Sequence, residues 1–136
     1  ALLDRIDMRV PLAPVPAQQM CMPTQAASAS LARERVAAAI RIQRERYAGL
    51  PFSVNSRIPP GLIDRFCPLR PECASELARA AEIHAISSRA FHSVLRIART
   101  IADLEAQRDI TSRHLTEAIQ HRRYGDCDYF WTRVRP

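Results

Sequence analysis

The sequence predicts an all-α fold, a small helical bundle preceded by one short strand, and three observations carry that prediction. Between Ser87 and Glu105 the apolar side chains Ala90, Phe91, Val94, Leu95, Ile97, Ala98, Ile101, Ala102 and Leu104 fall on one half of a helical wheel. Other segments with helical spacing are each opened by a capping residue or a proline. The alternation that marks a half-buried strand is confined to Ile6, Met8, Val10 and Leu12. No internal repeat or low-complexity tract is present, which favours a bundle over a solenoid.

In chain order, residues 5–12 read as the strand, which Pro11 restricts to an edge or an end and for which the chain holds no partner. Pro14, Pro16, Pro23 and small polar residues make the stretch to Ser30 a connecting loop. Ser30 can cap a helix running to about Ala48, with Leu31, Val36, Ala39, Ile40 and Tyr47 facing the core and Gly49 ending it. An extended piece follows Pro51 as far as Ile58. Pro59 and Pro60 then open a short helix to about Phe66, and a longer helix runs from Pro71 to about His84. Ser87 or Ser88 caps the helix to Glu105. Thr111 caps the last one, with Leu115, Ala118 and Ile119 as its buried stripe.

The polar half of the 87–105 helix holds Arg89, His92, Arg96, Arg99, Thr100 and Asp103. Burial of the apolar half would fix the helix, so this second face is free to meet solvent, a partner subunit or an anion. His92 and His114 read as surface or capping residues, since no carboxylate and nucleophile stand at useful spacing from them.

Composition limits the chemistry. With 136 residues, 47% of them hydrophobic, the chain is one domain or less with a modest core. All 20 basic residues are arginine, and glycine occurs only at Gly49, Gly61 and Gly125. A G-x-x-x-x-G-K-[ST] phosphate loop needs both glycines and a lysine, so this chain supplies none. The net charge of +6 permits contact with nucleic acid, although an aromatic content of 6% offers few platforms for base stacking. Cys21, Cys67, Cys73 and Cys127 match no zinc spacing and read as reduced thiols of a cytosolic protein; no metal site is expected. No apolar run of about 18 residues and no signal peptide is visible, so a soluble, cytoplasmic location without membrane contact is expected. The start at Ala1, without an initiator methionine, suggests a piece of a longer protein.

Three blocks carry a family resemblance: LLDRIDMRVPLAPVP, VNSRIPPGLIDRFCPL, and SSRAFHSVLRIARTIADL followed by DITSRHLTEAIQHRR. Together and in this order they resemble the carboxy-terminal part of the magnesium-chelatase-like AAA+ ATPases, and among these the ComM (YifB) group. The match is weakest from Gln18 to Ser28 and beyond Tyr124. The resemblance implies that residues 1–13 end an ATPase core, 14–29 link, 30–124 form the helical lid and 125–136 are a tail. It implies that Arg5, in LLDRID, is the arginine finger offered to a neighbour's γ-phosphate. The alternative for Arg5 is a strand-edge pair with Asp4 or Asp7. Arg89 corresponds to the sensor 2 arginine, acting on the neighbouring subunit if the helix from Ser30 to Ala48 is the insertion that shifts the lid. The alternative is a solvent-facing arginine at a helix start. Arg96 and Arg99 extend an anion or subunit contact, or pair with Asp103 and Glu105.

By the same resemblance the parent hydrolyses ATP with magnesium, neither being bound by this piece alone. Its subunits form a ring, expected to be hexameric, that acts on DNA as a branch-migration helicase in DNA uptake and recombination. Two alternatives stand beside this: the motor subunit of a magnesium chelatase, and a stand-alone helical module that binds DNA or protein. The tail residues Tyr129, Phe130 and Trp131 dock on the bundle or on a partner.

Overall fold

The computed structural model describes residues 6–10, 12, 15, 17–20 and 29–123. Its elements are all helical: α1 (Ala17–Met20), α2 (Ala29–Arg46), a 3-10 turn at Asn55–Arg57, a second at Pro60–Leu62 running into α3 (Ile63–Phe66), α4 (Pro71–Ile83), α5 (Ser88–Leu104) and α6 (Ser112–Arg123). The all-α reading holds. None of the helices among the described residues is long and apolar enough to cross a membrane.

The bundle is built around α5, which packs against α6 on one side and α2 on another. Val94, Leu95, Ala98 and Ala102 of α5 meet Leu115 and Ala118 of α6, Leu77 of α4 and the Tyr47, Ile58 and Ile63 side chains to form the core. Burying a Val, Leu or Ile side chain fully contributes about 1.5–3 kcal/mol, so this contiguous set is the main stabilising term. Tyr47, Phe52 and Phe66 add an aromatic corner with ring centroids 5.0–6.0 Å apart at tilted to edge-on angles.

Local chemistry accounts for the helix ends. Prolines occupy the first turns of the 3-10 turn at Pro60–Leu62 and of α4, where a missing N–H leaves no bond unmade. The Ser87 hydroxyl accepts from the Ala90 amide at 3.2 Å, the N-cap contact expected of it. At α6 the Thr111 amide donates to His114 Nδ1 at 3.1 Å, while His114 Nε2 lies 3.2 Å from Glu105 Oε2. His114 is therefore a buried capping residue, holding the α5–α6 loop. Gly49 follows α2 with φ at +79°. Two further helix ends use the same left-handed geometry without glycine: Ala85 (φ +46°) after α4 and Ala106 (φ +54°) after α5. Their six-to-one bonds, Ile86 N–H to Ala81 O at 2.9 Å and Gln107 N–H to Ala102 O at 2.8 Å, make Schellman caps.

Three expectations are corrected. Residues 6–10 form no strand. They bond the bundle instead: the Arg9 amide donates to His121 O at 2.8 Å, Arg122 Nη1 donates to Ile6 O at 3.2 Å, and the Ser93 hydroxyl donates to the Asp7 carboxylate. Leu31, Val36 and Ile40 do not face the core. They are 57%, 49% and 36% exposed, because the described bundle covers α2 only from about Ala39 onward, where Ala39, Gln43 and Tyr47 are buried. The loop expected from Pro14 to Ser30 contains the single turn α1, whose Ala, Gln and Met residues are good helix formers.

Candidate functional site

The two halves of α5's polar face have different fates. Arg89, in its first turn, is exposed and makes no ion pair among the described residues. The Phe91 amide already bonds Ser87 O at 2.8 Å and the Ala90 amide bonds the Ser87 hydroxyl. Geometry leaves the first-turn amides of Ser88 and Arg89 ahead of the intrahelical ladder. A permanently charged fork beside free N–H groups at the positive end of a 17-residue helix is a setting that receives an oxyanion. Core packing of Ala90 and Val94 on the opposite face fixes the position of that end.

Further along, the polar face turns inward. Arg99 is 2% exposed and Asp103 1%. Arg46, from the last turn of α2, grips Asp103 with two hydrogen bonds, Nη1 to Oδ2 at 2.8 Å and Nη2 to Oδ1 at 2.5 Å. Arg99 Nε donates to the same carboxylate at 3.1 Å, and its two terminal nitrogens donate to Arg108 O and Gln107 O at 2.6 Å each. Asn55 Nδ2 completes the shell, 2.8 Å from Asp103 Oδ2, while its amide oxygen accepts from the Tyr47 hydroxyl at 2.5 Å and its backbone amide donates to Gln43 Oε1 at 3.0 Å. Donating its hydrogen bonds to Asp103 raises the proton affinity of Arg46, whereas burial lowers that of Arg99 against the attraction of Asp103. Both stay charged, as arginine does in proteins.

Arg96 is also committed to the fold: Nε and Nη2 donate to Ile58 O at 3.1 and 2.8 Å and hold the loop before Pro59 against α5. Of the predicted set on this helix, Arg89 alone remains available at the surface. Arg99 takes the expected pairing with Asp103, while Arg96 bonds a backbone carbonyl in place of Asp103 or Glu105. The wheel of α5 contains no hint of this, because the groups that cover its polar face, Arg46 and Asn55, come from distant sequence. Arg5 and the Tyr129–Phe130–Trp131 tail lie outside the described residues, as do Cys21 and Cys127. Cys67 and Cys73 are free and buried, and burial pushes the Cys67 thiol up to about 11.

A model of the family described as magnesium chelatase, subunit ChlI C-terminal, matches residues 25–122, from ahead of α2 to the penultimate residue of α6. The chain belongs to the ChlI C-terminal family. Within it, this ChlI C-terminal chain is similar to the competence protein ComM of Haemophilus influenzae, with 36% identity over 122 residues, 88% of this chain. It is also similar to the uncharacterized YifB proteins of Salmonella typhimurium and Escherichia coli, each 33% identical over 122 residues. The chain spans 23% of the length of each of these relatives. The ChlI C-terminal match encloses the exposed Arg89, the Asp103 network and the core that positions both.

Proposed function

We propose that this chain is the helical lid of a ring-forming AAA+ ATPase of the ComM type, and that Arg89 is its sensor 2 arginine, acting on nucleotide held by a neighbouring subunit. The observation that carries the reading is the state of Arg89, exposed and without an ion-pair partner among the described residues, on the first turn of a helix whose other side is locked into the core. The residues of the turn fit a phosphate oxygen: a planar guanidinium with the Ser88 and Arg89 amides beside it. ATP and magnesium belong to the parent protein's phosphate loop, and this chain's contribution is charge at the γ-phosphate and a lid that responds to it.

In this reading residues 1–13 end the ATPase core and present Arg5 as the arginine finger, 14–29 link, 30–124 form the lid and 125–136 trail from it. Identical subunits, six in the proposed ring, then complete each other's sites in the cytoplasm. The name of the Haemophilus influenzae relative, a competence protein, supports action on incoming DNA, proposed to be helicase-like branch migration. The family description keeps a second reading in view, a magnesium chelatase motor subunit.

The test is magnesium-dependent ATP hydrolysis by the full-length protein, wild type against Arg5→Ala and Arg89→Ala, with and without branched DNA. Loss of turnover with nucleotide binding retained is the expected result, and stimulation by DNA favours the ComM reading over the chelatase. Wild-type turnover in both variants overturns the assignment.

A further inference from the structure

At the far end of α5 from Arg89 lies a second basic feature, a cavity of about 520 Å³ whose lining includes Arg46, Arg65, Arg99 and Arg108. Arg99 is ten residues beyond Arg89, about 15 Å along the helix axis, and Arg108 lies past the helix end. Three elements converge there: α2 brings Arg46, α3 brings Arg65, and the loop after α5 brings Arg108.

The charges around this cavity are unbalanced. Among the described residues that line the cavity or bond its lining arginines, two are carboxylates. Asp103 is buried beneath Arg46 and Arg99, and Asp109 on the rim is already bonded to Arg70 at 2.8 Å. Arg65 and Arg108 are exposed and form no ion pair among the described residues. The backbone acceptors that would repel an anion are occupied too, since Arg99 takes both Gln107 O and Arg108 O at 2.6 Å. The same two bonds, with the left-handed turn at Ala106, hold the loop that presents Arg108. The cavity is thus preorganised rather than collapsed by self-pairing.

One wall carries apolar side chains. Phe66 is half-buried in the lining beside Pro68 and Ile42, and the Arg65 guanidinium lies 5.2 Å from the Phe66 ring centroid. A basic rim over an aromatic and aliphatic wall is the arrangement that takes a phosphate on one side and a base on the other. The volume lies within the usual range for ligand pockets, about 300–1,000 Å³.

We infer that this cavity binds a nucleotide unit, its phosphate held by Arg65 and Arg108 over the Arg46–Asp103–Arg99 floor and its base laid against Ile42 and Pro68. The unit comes either from a free nucleotide or from a single strand. The site is separate from Arg89 and does not depend on the ATPase reading: it is tested by binding to this chain alone, whereas Arg89 is tested by turnover in the whole protein.

The experiment measures binding of two probes, a fluorescent oligothymidylate and thymidine 5′-diphosphate, to the 136-residue chain and its variants. Arg65→Glu/Arg108→Glu reverses two exposed charges. Arg33→Glu/Arg79→Glu makes the same net change on exposed positions of α2 and α4, outside the cavity lining. The cavity variant is expected to weaken binding at least about tenfold, the loss of a charge-assisted contact. The control is expected to weaken it about threefold or less, as screened surface charges do. Arg65→Gln/Arg108→Gln, which removes charge without reversing it, falls between them, and circular dichroism checks that each variant is folded. A loss confined to the oligonucleotide identifies a strand as the source, and one confined to the diphosphate identifies a free nucleotide. The inference is overturned if wild type binds neither probe, if the cavity variants bind as wild type does, or if the control loses as much.

Discussion

Asp103 of α5 receives both terminal nitrogens of Arg46, 57 positions earlier in the chain, at 2.8 and 2.5 Å, and this bidentate pair fastens the end of α2 to the middle of the bundle. Arg99 and Asn55 bond the same carboxylate, so the side chain is fully enclosed with a donor on every side. Removing it would leave two guanidinium groups without their counter-charge, one of them buried.

Asp103→Ala is therefore expected to destabilise the fold by about 3–5 kcal/mol, read from urea unfolding. Asp103→Asn keeps the shape and two of the bonds' geometry but not the charge, and is expected to lose less. A loss under about 1 kcal/mol for Asp103→Ala would mean that the network is not structural.

Two arginines of one helix face should behave oppositely. Arg89→Ala is expected to change stability by no more than about 0.5 kcal/mol, as exposed positions do. Arg99→Ala removes a buried partner of Asp103 and two carbonyl contacts, and is expected to cost about 3 kcal/mol or more. Thermal denaturation of the two variants side by side makes the comparison, and equal losses would refute the division of the face.

Glycine at the left-handed helix ends should stabilise. An L residue with a side chain pays about 1–2 kcal/mol there, partly offset by the extra freedom that glycine gives the unfolded chain. Ala106→Gly, and Ala85→Gly likewise, are each expected to gain about 0.5–1 kcal/mol in chemical denaturation. A decrease at both positions would show that the Schellman geometry is absent.

Cys67 makes stability depend on pH at the alkaline end. Burial raises its thiol from 9.0 to about 11, so the folded chain holds the proton that the unfolded chain loses first. The contribution is present in full below about pH 9 and is lost as pH rises toward about 11. Wild type is expected to lose on the order of 2–3 kcal/mol more than Cys67→Ala across that window. Parallel stability curves for the two proteins would remove Cys67 from the account.

What was legible in the sequence is what one helix can state about itself. The core face of α5, the Ser87 cap, the proline-opened α4 and the Gly49 terminus all follow from spacing and local chemistry, and all are in the structure. The exposed Arg89 was legible for the same reason. Illegible were matters that need a second element. Val36 and Ile40 lie on a stripe that looks like core, yet the bundle does not extend that far along α2. Arg99 looks solvated until Asp103 is seen to be shared with Arg46. The arginine-lined cavity draws on Arg46, Arg65 and Arg108 from three separate segments, a gathering no local period could announce. Helix ends at Ala85 and Ala106 lacked the glycine that marks such a stop.

The bonds from residues 6–10 to the bundle join the early backbone to the last turn of α6. Arg9 is linked to His121 and Arg122 to Ile6, with Asp7 held by Ser93 of α5 between them. Asp7 is thereby tied to α5, and Ile6 and Arg9 to the end of α6, with no part taken by α2, α3 or α4 in these bonds. The helix that carries the exposed arginine and the helix that closes the bundle thus share one anchor to the residues ahead of them.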